Sequence, residues 1–308
     1  MQKNKDEKEK FVQQNEDLIN LRRSKQYLSG KKRAKFLKLL RKGKFLTIVK
    51  KIFASRKIRK LSHPEYDNDF CEPAVDNDVS KIVIYTCITG GYDKLRDSFA
   101  DGLDFVAFID TKGVTSNCWK ISKIPEKIKK LNDKALINRY IKFHPYELFG
   151  DKYDVAIYVD GNVSVVDDVR SLATVAKKCK TGLALHRHRQ RDSLYNEAAV
   201  CRIIGKGNKE KISCQVDRYR KEGFPEEYGL FECSVIVTDL HNEKGKKILD
   251  DWWEEYLSSG SGRDQLAIPY VLWKNGYKFS DVGSLGKNVY RNPKFLIAEK
   301  THEVGDEY

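Results

Sequence analysis

The stretch Tyr153-Asp154-Val155-Ala156-Ile157-Tyr158-Val159-Asp160-Gly161-Asn162 decides how the rest of this chain is read. Its five consecutive apolar residues suit a strand covered on both faces, and the run stops at a carboxylate, a glycine and a carboxamide. In open α/β sheets, ligands gather beyond the carboxyl ends of such strands. This reading puts Asp160 and Asn162 at the mouth of a sheet, where two hard oxygen donors suit Mg²⁺ or Mn²⁺ shared with substrate phosphates. The same residues also read as an ordinary turn, since Asp, Gly and Asn are common turn formers.

Working outward, strands and helices alternate. Lys81-Ile82-Val83-Ile84-Tyr85-Thr86-Cys87 reads as a strand that runs into Ile88-Thr89-Gly90-Gly91-Tyr92-Asp93. A second strand is expected over 103–110, ending in the carboxylate of Asp110, and a helix over 133–149 precedes the Asp160 strand. Further on, helices are expected over 167–178, 243–257 and 264–274, and strands over 182–186 and 229–240. Strands separated by helices imply right-handed crossovers and a mainly parallel sheet with helices on both faces, an α/β fold. After the first strand, Gly90 and Gly91 permit backbone angles that let N–H groups approach a ligand closely. The pair also reads as a plain loop. It is neither Gly-x-Gly-x-x-Gly nor a loop ending in Gly-Lys-Ser/Thr, so Rossmann dinucleotide binding and P-loop phosphoryl transfer lose their main sequence support.

Composition bounds the class. The 308 residues, 40% hydrophobic and 11% aromatic, suffice for one large core or two modest ones. The formal net charge of +14 first suggests a nucleic-acid binder, but it is concentrated at one end. Residues 1–62 hold 21 Lys and Arg against 5 Asp and Glu, a net of +16, and the remainder holds 37 against 39, a net of −2. A body near neutrality has no electrostatic footprint for DNA or RNA, so no nucleic-acid partner is expected.

The arm, 1–62, contains a basic amphipathic segment over 31–60. There Phe36, Leu37, Leu40, Phe45, Ile48, Val49, Ile52 and Phe53 recur near helical spacing among Lys and Arg. Without a continuous apolar run of about 18 residues, no transmembrane span is expected, and no cleavable signal peptide is visible. Such a segment suits an anionic membrane surface; it also reads as a solvated helix docked on the body. Residues 63–80, with Asp67, Asp69, Glu72, Asp76 and Asp78, read as an acidic linker, and the catalytic domain is expected over 81–308. The seven cysteines are scattered with no Cys-x-x-Cys pair, which reads as reduced cytosolic thiols. The expected location is cytoplasmic, peripheral at the inner face of a membrane.

Several motifs together resemble a family of glycosyltransferases with a GT-A-type fold, whose relatives occur in bacterial polysaccharide gene sets and in plant cell-wall synthesis. They are Thr86-Cys-Ile-Thr-Gly-Gly-Tyr-Asp93, Asn138-Arg-Tyr-Ile-Lys-Phe-His-Pro145, Tyr158-Val-Asp-Gly-Asn162, His186-Arg-His-Arg189 and Arg263-Asp-Gln265, in that order. The resemblance covers roughly 81–283 and implies a nucleotide-sugar donor. Asp160-Gly161-Asn162 stands where many relatives of the fold carry Asp-x-Asp. As a neutral ligand, Asn162 weakens metal affinity relative to a carboxylate.

The chemistry of the residues agrees with that implication. Cleaving a sugar–diphosphate bond requires the departing pyrophosphate to be neutralised by a metal and basic side chains. Asp160 and Asn162 are the candidate metal ligands. Thr86, Thr89, Gly90, Gly91 and Tyr92 of the first turn, Asp110, Arg139, Lys142, His186 and Arg187 are the candidate donor-binding residues. Each has a plainer reading: Lys142 as surface charge, Asp110 as a cap, His186 as structural. Asp264, Gln265 and Glu232 are the candidate catalytic residues, although Asp264 also reads as a helix start. The expected reaction moves a hexosyl or hexuronosyl group from a uridine-diphosphate sugar to a glycan or lipid-linked acceptor in polysaccharide biosynthesis. A glycoside hydrolase built on paired carboxylates and a non-enzymatic membrane- or polyanion-binding protein are the alternatives.

Overall fold

The computed structural model describes Gln13 and residues 25–75, 81–100 and 102–298. The chain divides into two units, Met1–His63 and Pro64–Tyr308.

In the first unit, α1 (Lys25–Arg41) and α2 (Phe45–Lys60) are separated by a turn at Gly43, whose φ of +63° is a left-handed angle that glycine adopts without steric cost. The expected segment over 31–60 is therefore two helices. Apolar side chains in α2 concentrate toward its amino end. Phe45, Leu46, Ile48, Val49, Ile52 and Phe53 share one arc of the first turns with Lys50 and Lys51 on the opposite side, and Arg56, Lys57, Arg59 and Lys60 dominate the last two turns. At about 100° per residue, Arg56, Arg59 and Lys60 return to the arc that the apolar residues occupy. No helix among the described residues is long and apolar enough to cross a membrane.

The second unit is built on a sheet ordered β3-β2-β1-β4-β7-β6-β8. Its strands are β1 (Ile82–Ile88), β2 (Asp104–Ile109), β3 (Lys120–Ser122), β4 (Val155–Val159), β6 (Leu183–Arg187), β7 (Phe231–Asp239) and β8 (Gly283–Ser284). β1, β2, β3 and β4 are mutually parallel, as are β6 and β8, whereas β7 runs antiparallel to both its neighbours. Every residue of β1 and of β4 is buried, which is what apolar runs without polar alternation require.

One apolar cluster lies on each face of the sheet. Tyr85, Ile141, Phe143, Tyr158, Leu183 and Trp252 belong to one, and Ile84, Ile157, Val159, Leu172 and Val237 to the other. The helices are α3 (Glu126–Lys129), α4 (Lys134–Phe143), α5 (Pro145–Phe149), α6 (Arg170–Lys178), α7 (Leu194–Ile204), α8 (Lys209–Lys221), α9 (Glu243–Ser259) and α10 (Asp264–Lys274). The single helix expected over 133–149 is broken between α4 and α5 because Pro145 cannot donate to the ladder and its ring crowds the preceding turn. Asp133 caps α4, its carboxylate accepting from the Leu136 amide at 2.8 Å.

Two connections bear on the site. β5 (Val163–Val165) and β9 (Phe295–Ile297) form an antiparallel ribbon, after which the Ala298 amide donates to the Asn162 carbonyl at 2.9 Å. The stretch expected as an acidic linker, 63–80, belongs to the second unit from Pro64 onward, and its described part is tied to the body. Glu72 meets the buried Lys294 ammonium at 2.6 Å, Asp67 meets Arg291 at 2.7 Å, and the Tyr66 amide donates to the Arg189 carbonyl at 2.9 Å. The acidic composition of this stretch thus faces the basic loop carrying Lys287, Arg291 and Lys294. Asp76 and Asp78 lie outside the described residues.

Candidate functional site

The reversed direction of β7 builds the site. Because β4 and β7 are antiparallel, the carboxyl end of β4 and the amino end of β7 fall at the same edge, and the Asp160 amide donates to the Ser234 carbonyl at 2.9 Å. Asp160 and Glu232 are thereby brought to one place from positions 72 residues apart in sequence. On the other side of β4, Gly161 packs closely against the end of β1: a Cβ there would lie 2.9 Å from Ile88 Cγ1 and 3.1 Å from Asp93 Cβ. The Asp160 side chain is 37% exposed, accessible to a ligand at this edge.

Behind Asp160 stands α4, with Arg139 and Lys142 one turn apart on one face. Lys142 is not surface charge: its side chain is only 2% exposed, and its ammonium donates to Asp264 Oδ2 at 2.9 Å. The same ammonium lies 3.8 Å from Asp160 Oδ1 and 5.0 Å from the centroid of the Tyr158 ring. Arg139 Nε approaches Asp264 Oδ2 to 3.1 Å. Burial alone would push the Asp264 carboxyl up, but Arg139, Lys142 and Arg263 outweigh it and hold the group well below the usual carboxylate range. One buried carboxylate thus fixes two cations at the edge where Asp160 opens to solvent.

A second network surrounds Glu232. Its carboxyl is raised above the usual value by burial, by the nearby charge of Glu197 and by Asp160, against an opposing hydrogen bond from Ser234 Oγ at 3.1 Å. His188 Nδ1 accepts from the amides of Gln190 and Arg191 at 3.2 and 3.1 Å, and the Arg191 guanidinium, a pure donor, lies 3.1 Å from Nε2. That atom lies 4.0 Å from Glu232 Oε2 and 3.9 Å from Glu197 Oε2. Glu197 is also buried, yet Arg191 at 2.6 Å, His188 and Arg263 keep its pKa low. Two neighbouring carboxyls are therefore shifted in opposite directions, Glu232 up and Glu197 down. Gln265 links the networks: its amide donates to the Phe231 carbonyl at 2.8 Å and accepts from Arg263 at 3.1 Å, and Asp264 and Gln265 are both almost fully buried.

The first turn forms a third part. Gly90 and Gly91 are both left-handed, with φ of +66° and +64°. The Gly90 amide donates to both oxygens of Asp110 at 2.9 and 3.0 Å, and Lys134 pairs with the same carboxylate. Thr89 donates to the Lys134 carbonyl at 2.8 Å, tying the turn to the start of α4. Beside it is a hollow of about 260 Å³ lined by Asp110, Ile124, Lys134 and Ile137. Tyr92 is 65% exposed, whereas Thr86 is buried within β1, its hydroxyl without a hydrogen-bond partner among the described residues.

Two of the sequence candidates stand apart from these groups. His186 is fully buried; Asn292 donates to its Nε2 at 3.0 Å, and burial drives its pKa down to about 3, so the ring is neutral. Arg187 stacks on Phe279 and lines a hollow of about 430 Å³ with Phe231, Val282 and Cys179. That hollow is larger but contains none of Asp160, Lys142 or Glu232. Volume and charge point to different places, and the charged edge has the chemistry a diphosphate requires. The sequence reading passes over His188 and Arg191 in favour of His186. Strand alternation alone does not single out His188: β6 shifts register against β7 between Leu185 and His186, and just past Arg187 the His188 amide still donates to the Leu230 carbonyl at 2.9 Å.

Among the described residues no cluster of three or more His, Cys, Asp or Glu side chains is placed to hold a metal by itself. A hard divalent ion takes one or two protein oxygens and completes its shell with other oxygens; here Asp160 offers a solvent-open carboxylate, and two residues further on, the Asn162 side-chain nitrogen lies 3.5 Å from the Ala298 carbonyl, leaving its oxygen as the second donor. The Lys142 ammonium places a fixed positive charge 3.8 Å from the Asp160 carboxylate.

A model of the TOD1/MUCI70 glycosyltransferase-like domain matches residues 72–282. The galactosyltransferase LgtC, solved with donor and acceptor sugar analogues, is 12% identical over 66% of this chain and 72% of its own, with a TM-score of 0.37. The bifunctional glycosyltransferase WbbM is 11% identical over 70% of this chain and 40% of its own, at 0.38, and mouse xyloside xylosyltransferase 1 is 9% identical over 66% and 82%, at 0.34. A segment of 44 residues, 14% of this chain, is 39% identical to the Ras-related protein RABG3b of Arabidopsis thaliana, of which it spans 22%. The family match takes in the first-turn motif, the Arg139–Lys142 helix, Asp160, Glu232 and Asp264, and this chain belongs to the TOD1/MUCI70 family of glycosyltransferase-like proteins.

Proposed function

We propose that the protein transfers a hexosyl or hexuronosyl group from a nucleoside-diphosphate sugar, with uridine as the base, to a glycan or lipid-linked acceptor in polysaccharide biosynthesis. The observation that carries this reading is the placement of solvent-open Asp160 3.8 Å from the buried Lys142 ammonium, which shares the Asp264 carboxylate with the partly exposed Arg139. In a water-poor setting, fixed cations lower the cost of charge developing on a departing diphosphate without having to reorganise. Asp160 and Asn162 would hold Mg²⁺ or Mn²⁺ against the same diphosphate, adding Lewis-acid neutralisation.

In this mechanism the nucleoside lies toward Gly90, Gly91, Tyr92 and Asp110, and the sugar toward Glu232. The bond from the anomeric carbon to the phosphate oxygen breaks, with its electron pair leaving on the nucleoside diphosphate. A bond from the acceptor oxygen to the anomeric carbon forms, and the acceptor hydroxyl proton passes to Glu232. A carboxyl raised above its ordinary value is better matched to proton transfer near neutrality than an ordinary one. Asp264 and Gln265 act as positioning residues, the first on Lys142 and Arg139 and the second on the strand that carries Glu232.

Thermal-shift screening of nucleotide-sugars with and without Mn²⁺ tests the reading. A uridine-diphosphate sugar should raise the melting midpoint of the wild type, and Asp160→Ala, a partly exposed edge residue, should lose the response while melting normally. If no nucleotide-sugar stabilises the folded protein, the proposal fails.

A further inference from the structure

We propose that the α1–α2 pair binds an anionic membrane surface, seating the apolar side chains that flank the Gly43 turn among lipid headgroups. This is independent of the transfer reaction, because it rests on the first unit alone.

Large apolar side chains lie open on both sides of the turn. Leu46 is 79% exposed and Phe45 61%, and Phe36, Leu37, Val49, Ile52 and Phe53 are each more than two-fifths exposed. Single exposed apolar residues are ordinary, but a concentration of this kind marks an interaction surface. Residues 25–60 carry fifteen Lys and Arg and no Asp or Glu, so the occupant must be both apolar and anionic. A second copy of the chain fits poorly because the two arms would repel. Nucleic acid fits the charge but leaves the aromatic and aliphatic side chains unexplained. A lipid surface satisfies both.

The dimensions select the mode of binding. At about 1.5 Å per residue, the apolar part of α2 from Phe45 to Phe53 is roughly 12 Å long, far short of a hydrocarbon core of about 30 Å. It suits the boundary depth of roughly 5–10 Å reached by interfacial helices. Arg41, Lys42 and Lys44 at the turn can lay their apolar stems along this layer with the charges at the phosphates. The lengthwise division of α2 then tilts it, with the Phe45 end deeper and Arg56, Lys57, Arg59 and Lys60 in the headgroup layer.

The test is flotation of the full chain with phosphatidylcholine vesicles, with and without phosphatidylglycerol, at low and high salt. The protein should float with the anionic vesicles and fall away as the Debye length shrinks from about 8 Å near physiological salt to about 3 Å at 1 M. Two variants separate the contributions: F45E/L46E removes the apolar edge, and K42Q/K44Q/K50Q/K51Q removes charge. Each should weaken vesicle binding by about tenfold or more while leaving nucleotide-sugar binding unchanged. Vesicle binding equal to wild type in both variants overturns the proposal. So does salt-sensitive binding to DNA without flotation, which would assign the arm to nucleic acid, or a dimer in solution that F45E/L46E dissociates, which would assign it to a second copy.

Discussion

Glu232 and Asp264 show how neighbouring carboxylates acquire different work. Glu232 is raised by burial and by Glu197 and Asp160, so its ionisation opposes folding. For a carboxyl with a raised folded-state pKa, the favourable contribution is full below the unfolded-state value and is lost as pH rises through the folded one. Replacing Glu232 with Gln should therefore lower turnover by about 10²-fold or more while the melting midpoint near neutrality stays level or rises. Initial rates and melting curves on the same preparation check this, and a parallel fall in both would reduce Glu232 to a structural residue. Asp264 has the opposite sign. Its lowered pKa contributes stability above the ordinary carboxylate range that is lost as pH falls through its own value. Asp264→Asn leaves Lys142 and Arg139 without their shared counter-charge, at a cost of about 3–5 kcal/mol in urea unfolding. A loss near 1 kcal/mol would mean that Asp264 merely starts α10.

At the scale of elements, the junction of β4 with β1 is held by a glycine that a methyl group would disturb. Gly161→Ala places a carbon 2.9 Å from Ile88 Cγ1, so the Asp160 loop must shift; the expected cost is about 1–3 kcal/mol together with weakened nucleotide binding, read by unfolding and titration. The buried strands around this junction were legible because β1 and β4 are covered on both faces and read as apolar runs of strand length. The carboxylate after β4 was legible for the same reason. Short strands were not: β3, β5, β8 and β9 have three residues or fewer and draw their pairing from distant partners, as Val165 does from Phe295. The direction of β7 was also hidden, since an apolar run has no polarity, yet that direction joins Glu232 to Asp160. Lys142 illustrates the remaining limit. Nothing in a lysine's local sequence announces burial, which here follows from Asp264, 122 residues away.

For the whole molecule, residues 1–62 carry a net charge of +16 and the remainder −2, so the proposed attachment and the proposed chemistry draw on different parts of the sequence. The central claim concerns the body: that Asp160, Lys142 and Arg139 form a centre for a diphosphate. The most direct measurement is calorimetric titration of the full chain with nucleoside diphosphates and the matching monophosphates, in the presence of Mn²⁺, for wild type and Lys142→Met. Each additional charge-assisted contact of about 1.4 kcal/mol is tenfold in affinity, so UDP should bind at least about tenfold more tightly than UMP. In folded Lys142→Met that advantage should shrink. Should no diphosphate bind the folded wild-type protein more tightly than its monophosphate, the charged edge is not a diphosphate site and the account is contradicted.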